Sequence, residues 1–449
     1  MPRPCSHTPC LRALTAATLA AMTSGAAAQS PPQQVVRGPV ATYWMTADTS
    51  SGLGAMMGGG VSGMFGMMMG RSPQGPMRTL DLRLGSSQAP SGAPQAEHLI
   101  PPTMQMGPSL PLVTPQPAQS VRRAEPEPEE RQLPEGVERP KGRMLIFWGC
   151  GPQVGPGQPI VIDFSNLGAG APMPRIASRE VRVPRVPSYG ASRGYGEWPN
   201  ERDRQAVAVQ ASLRGEHQVR GTYSPEIRFM VDRHDFMGAL EIQQARTGAA
   251  TRLSWAPVDR ATGYFLSAIG GREGRDGGAD MVLWTSSAVQ DMGGALVGHV
   301  PPGEVARLIR EKVVLAPAVT ECTVPAEVVQ AMPAGMLTGV AYGEELNLVH
   351  PPRPQDPKVA WEQQWVVKLR LRSTTMLPLG EGMGASGRRG GTAPAATGAP
   401  PAGDAAPAGS PSAEGAPSQA PASPVGGAAG AVEQGVREGI NTLRNLFGR

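Results

Sequence analysis

Gly190-Ala191-Ser192-Arg193-Gly194 is the most explicit catalytic spelling in the chain. It matches G-x-S-x-G, where the serine stands on a tight strand-to-helix turn and backbone amides cradle an oxyanion. Pro184 and Pro187 precede it and residues 196–199 (GEWP) follow, so the sequence supplies neither the strand nor the helix. A second match, residues 382–387 (GMGASG), has the glycine spacing of a dinucleotide fingerprint but no helix behind it to receive a pyrophosphate. His98, His217, His234, His299 and His350 are single and widely spaced. None forms an H-x-x-x-H or H-E-x-x-H pair, so no zinc-hydrolase ligand set is expected. His234-Asp235 and Glu344-Glu345 are adjacent acid–base candidates, but strand neighbours point to opposite faces, so neither pair converges on one substrate. No catalytic residue and no cofactor is assigned.

Methionine offers a different chemistry. Residues 49–70 carry no charge over 22 positions and are rich in Gly and Met. Met56, Met57, Met64, Met67, Met68 and Met69 are soft thioether donors of the kind that hold Cu(I), and Met104 and Met106 could join them. Gly54, Gly58, Ser62, Gly66 and Gly70 recur every four residues, the spacing that lets membrane helices approach closely. Each glycine, however, costs a helix about 1 kcal/mol. A mobile apolar loop is the leading reading, with membrane association and copper handling as alternatives.

The first 28 residues carry Arg3 and Arg12, an apolar stretch at 13–22 and the small triplet Ala26-Ala27-Ala28, the pattern of a cleavable export signal. Its loss takes the formal charge from +4 to +2, with no long-range field to attract nucleic acid. Cys150 and Cys322 then remain. In an oxidising compartment an even pair is expected to form a disulfide.

The elements that must hold these groups read as strands. Residues 251–287 form the clearest run: Leu253 and Trp255 two apart, a turn at 257–263, an aromatic strand at 264–269 containing Tyr264 and Leu266, and a third strand at 281–285 containing Trp284. Further strands are expected at 40–48, 77–84, 143–149, 159–164, 216–221, 226–231, 323–329, 336–342 and 365–373. The last, WVVKLRLRS, puts Val367, Leu369 and Leu371 inward and Lys368, Arg370 and Arg372 outward. One helix, 304–312, has Val305, Leu308 and Ile309 on one face. All but four of the 20 aromatics lie between Phe147 and Trp365, which outlines the main core. Residues 85–118 (Pro/Ser/Gly-rich), 119–143 (mixed charge) and 168–206 are expected to be irregular, and 377–430 disordered.

Leu253-Ser254-Trp255 followed by Ala261-x-Gly263-Tyr264-x-Leu266 resembles the B and C strands of a fibronectin type III module, in which the Trp and Tyr pack together. Val340-Ala341-Tyr342-Gly343 resembles the F strand, and residues 365–373 would be G. The resemblance covers about 236–373 and implies a sandwich in which the helix at 304–312 is an insertion.

The expected fold is therefore mainly β: a β-sandwich of immunoglobulin or fibronectin III type, one inserted helix, long disordered segments and a C-terminal amphipathic helix. Its divisions are 1–28 (signal), 29–118 (N-terminal strands with Gly/Met-rich and Pro-rich loops), 119–143 (linker), 144–235 (first β region), 236–376 (Fn3-like), 377–430 (tail) and 431–449 (helix). The expected role is non-catalytic binding or structure in the periplasm or at the cell surface, with a hydrolase or a copper handler as alternatives. The partner is a protein or envelope component, with membrane-surface contact through residues 431–449 and no nucleic acid.

Val432, Val436, Ile440, Leu443 and Phe447 make one stripe on that last helix, which is too short to be stable alone in water. The tract before it gives a reach of roughly 40 Å. Deleting residues 431–449 is expected to leave the melting temperature unchanged and to lower membrane or partner association. A clear fall in melting temperature would place the helix in the core.

Overall fold

The alternation of Val367, Leu369 and Leu371, each at most 2% exposed, opens a strand of 16 residues, Trp365–Gly380. Burying each such side chain contributes roughly 1.5–3 kcal/mol, which holds the register, because a slip by one residue would turn the arginines inward. The computed structural model describes residues 34–57, 75–115, 142–164, 178–273 and 278–380. The export segment, Met64, Met67, Met68, Met69, the 382–387 match and the helix expected at 431–447 lie outside them.

Among the described residues the fold is mainly β. With strands numbered in chain order, one mixed sheet contains β2 (Ala41–Gly52), β3 (Met77–Ser86), β6 (Gly142–Trp148), β7 (Ile160–Asp163), β8 (Gly194–Trp198), β13 (Gly263–Glu273), β14 (Ala279–Thr285), β16 (Ala334–His350) and β18 (Trp365–Gly380). Across the sheet they stand β7-β6-β14-β13-β16-β18-β2-β3-β8. Two of the pairings are parallel, β2 with β18 and β6 with β14, and the rest are antiparallel.

Two smaller sheets pack on one face of this sheet. The first contains β4 (Ala96–Leu99), β5 (Ser109–Leu112), β9 (Gly215–Gly221) and β10 (Ser224–Val231) in the order β10-β9-β4-β5. The second contains β11 (Ile242–Thr247), β12 (Ala250–Trp255) and β15 (Glu321–Val324) in the order β11-β12-β15. One continuous core runs beneath both, including Leu253, Trp255, Tyr264, Leu266 and Trp284, all at most 6% exposed. Trp255 and Tyr264 meet across the layers with ring centroids 5.4 Å apart. A short parallel pair, β1 (Val36–Arg37) with β17 (Trp361–Glu362), lies apart from these sheets.

The opposite face of the large sheet is partly covered by residues 287–315. There α2 (Pro302–Arg310) buries Val305 and Leu308 against Phe265, Val340 and Tyr342. Pro302 at the helix start and Arg307 and Arg310 in its last turn fit its ends. Gly293, at φ +71°, lets the chain pass Phe265: a Cβ there would lie 2.5 Å from the ring.

Several expectations need correction. Residues 85–118 are not irregular up to 115: they form β4 and β5 and bury His98, Met104, Met106, Leu110 and Leu112. That segment cannot build a core of its own, but its few apolar side chains complete one supplied by β2 and β3. Residues 53–57, expected as loop, form α1 (Leu53–Met57). The strand expected at 323–329 stops at Val324, because Pro325 caps α3 (Ala326–Ala331), which buries Val328 and Ala331. Residues 168–206 contain β8, and β18 continues through 377–380, both in segments expected to lack structure.

Cys150 and Cys322 are bonded, tying the loop after β6 to β15 of the facing sheet across 172 positions of sequence. Replacing both with serine is expected to lower the unfolding free energy by about 2–5 kcal/mol in chemical denaturation. An unchanged midpoint would mean that the sheets need no such tie.

Candidate functional site

The polar face of β18 meets the polar face of β2 on the side of the large sheet away from the core. Trp44 sits there, only 5% exposed, yet it belongs to none of the apolar clusters. Cations cover it instead: Arg370 Cζ lies 5.0 Å and Lys368 Nζ 5.5 Å from the ring. Such contacts contribute about 0.5–2 kcal/mol each, more as water is excluded. Lys368 Nζ also donates to Glu345 at 2.7 Å, and Arg370 Nε donates to Thr46 Oγ1 at 2.7 Å.

One step along the strands, Arg372 grips Asp48 in a two-toothed fork at 2.8 and 3.2 Å and donates to the Val297 carbonyl at 2.7 Å. His299 Nε2 stands 2.8 Å from Asp48 Oδ1. Burial alone would raise the Asp48 carboxyl; contact with His299 and Arg372 outweighs it and holds the group at about 2. Burial also depresses His299 below its ordinary value, against the pull of Asp48. Burial likewise lowers Arg370, partly offset by Asp48 and Asp81.

A bulge sets this row. Gly343 and Glu344 of β16 together oppose Leu371 of β18, and a Cβ on Gly343 would come within 2.6 Å of the Leu371 carbonyl. The bulge splits the neighbouring acids. Glu345 turns to Lys368, while Glu344 turns to His234 at 3.6 Å, Arg260 at 3.5 Å and Arg233 at 4.0 Å. His234 and Asp235 separate as well. Asp235 accepts from the Ser212 hydroxyl at 2.6 Å and the Leu213 amide at 2.9 Å.

Ser192 does not occupy a nucleophile elbow. Its backbone is extended (φ −127°, ψ 145°) between a 3-10 turn and β8, and its hydroxyl lies against Gly85 of β3. Among the described residues no histidine hydrogen-bonds it, and no group of three His, Cys, Asp or Glu could hold a metal ion. Of the thioethers, Met104 and Met106 are core residues, Met56 and Met57 fall in α1, and the other four lie outside the described residues.

The buried histidines form a network that was not expected from their sequence spacing. Tyr43 on β2, His98 on β4 and His217 on β9 are each 0% exposed and linked in series: Tyr43 Oη to His98 Nδ1 at 2.8 Å, His98 Nε2 to His217 Nδ1 at 2.9 Å, and His217 Nε2 to the Leu213 carbonyl at 2.7 Å. A carbonyl only accepts, so His217 Nε2 carries the proton and its Nδ1 accepts from His98 Nε2–H. His98 Nδ1 then accepts from the Tyr43 hydroxyl, whose ionisation burial pushes well above its ordinary range. With both rings neutral, every position in the chain is filled and one direction is fixed. His217 also stacks on Phe229, with centroids 5.0 Å apart. The signal was present in β9, where His217 and Val219 stand two apart on one face.

No protein-family model matches this chain, and no curated protein is significantly similar to it in sequence. Among the described residues no helix is long and apolar enough to cross a membrane.

The histidine chain makes a pH prediction. Burial lowers His98 well below 6.5 and His217 to about 4, whereas the unfolded chain protonates both near 6.5. The unfolded state therefore binds more protons below pH 6.5, and stability is lost as pH falls from there toward 4. The expected loss is up to about 1.4 kcal/mol per pH unit for each ring. In denaturant titrations across this window His217→Gln, which keeps both hydrogen bonds, should lose stability less steeply, by about one proton's worth of slope. Parallel pH dependence in the two proteins would rule the histidine chain out as the cause.

Proposed function

We propose that this chain is an exported, non-catalytic protein with a binding or structural role in the periplasm or at the cell surface, built on a fibronectin type III-like sandwich. Strand order supports the family reading. The strands that resemble C, F and G stand side by side as β13-β16-β18, and the one that resembles B, β12, lies in the facing sheet. That is how an immunoglobulin-type sandwich divides these strands. The export-like pattern at 1–28 supports the location, and the disulfide suits an oxidising compartment.

Fold alone licenses no function. The observation that carries the binding reading is Trp44 beneath Lys368 and Arg370, an aromatic and charged row within the large sheet. His98 and His217, by contrast, are sealed in the core, His234 and His299 each face a single carboxylate, and His350 stacks on Trp365. The partner is an envelope protein or component, residues 431–449 are the membrane-facing candidate, and nucleic acid is not a partner.

Affinity capture from native envelope with the tagged mature chain is expected to recover a discrete partner. Ser192→Ala and His234→Ala chains should recover the same amount. Ester or amide hydrolysis that Ser192→Ala abolishes would make the protein an enzyme instead.

A further inference from the structure

The outer face at the β2–β18 seam has a charge pattern with one cation left over. Lys368 meets Glu345 at 2.7 Å, Arg372 meets Asp48 at 2.8 Å, and Arg83 on β3 meets Asp81 at 2.8 Å. Glu197 on β8 accepts from the Tyr195 hydroxyl at 2.6 Å. Arg370 stands among them, and no carboxylate of the described residues lies within ion-pair distance of it. Its anchors are Thr46, through Nε, and the face of Trp44.

Those two anchors act on different parts of the guanidinium. The hydrogen bond from Nε to Thr46 fixes one edge, and the Trp44 ring lies against the guanidinium, its centroid 5.0 Å from Cζ. The two terminal nitrogens are left with their N–H groups and no protein acceptor among the described residues. A planar guanidinium held in this way presents the fork that matches an oxyanion bidentately. Because the side chain is already ordered, binding would cost little further entropy. Burial is unfavourable for an arginine and Asp48, Asp81 and Glu345 offset it only in part, so an incoming anion would relieve the remaining penalty. The acids nearby do not occupy the fork, since each is already bonded to another residue of the row.

We propose that Arg370, fixed by Thr46 and Trp44 and flanked by Lys368, is a binding site for an oxyanion, a carboxylate or a phosphate group, carried by the partner of this protein. The inference rests on the reading of the chain as a binding protein and supplies the chemistry of its ligand.

The test uses the mature chain with isotopically labelled arginine and tryptophan side chains. The Arg370 Nε–H resonance is assigned by its loss in Arg370→Lys. Sodium acetate and inorganic phosphate are titrated separately, with chloride at matched ionic strength as reference. A saturable shift of the Arg370 Nε–H and Trp44 Nε1–H signals is expected with at least one anion and not with chloride. Acetate alone would identify a carboxylate, and phosphate alone a phosphate. Arg370→Lys keeps the charge and loses the fork, so the Trp44 signal in that variant should need at least tenfold more anion. No saturable shift beyond chloride, or equal response of Trp44 in Arg370→Lys, would overturn the proposal. Envelope capture separates the two readings: a partner recovered equally by parent and Arg370→Lys removes the oxyanion site and leaves the binding role standing. Failure of the parent to recover any partner removes the binding role itself.

Discussion

The parallel pairing of β2 with β18 is the constraint on which the rest depends. Twelve consecutive residue pairs, from Ala41↔Trp365 to Gly52↔Met376, join a strand near the beginning of the chain to one near the end of the described residues. This seam places β2 and β3 inside the large sheet. It also creates one continuous inner face, so that a single core passes beneath both smaller sheets. Without it, Tyr43 has no place opposite His98, and Trp44 has no place beneath Arg370. Local sequence cannot specify such a pairing, because parallel neighbours share no turn.

The seam gives the sheet two unlike faces. Inward, Tyr43, Met45 and Ala47 continue the apolar rows of Val367, Leu369 and Leu371. Outward, Trp44, Thr46 and Asp48 meet Lys368, Arg370 and Arg372 one for one. The same register that packs the core therefore assembles the charged row, with no separate device needed to align it. The bulge at Gly343–Glu344 adds the last adjustment, sending Glu345 to Lys368 and Glu344 to His234.

How much of this the sequence reveals depends on how local the cause is. The two faces of β18 are legible because strict alternation over WVVKLRLRS has one reading. Helix 302–310 is legible from its apolar spacing and its prolines. Residues 323–329 mislead because a Val-rich run suits strand or helix equally, although Pro325 marks the change. β4 and β5 are hidden in a Pro/Ser/Gly-rich stretch, since their few buried side chains are stabilised by a core built elsewhere. The candidate site was half visible: Lys368, Arg370 and Arg372 read as outward, but Trp44 lies 324 to 328 positions away and only the seam brings it to them. The Tyr43–His98–His217 chain is non-local in the same way.

Native-state hydrogen exchange tests the seam most directly. If β2 and β18 form one cooperative body with β13 and β16, the slowest amides of all four strands exchange with the same free energy, that of global unfolding. Exchange of β2 and β3 through a separate, less stable opening, while β13, β16 and β18 stay protected, would contradict the account. The N-terminal strands would then be an appendage to the sandwich rather than its centre.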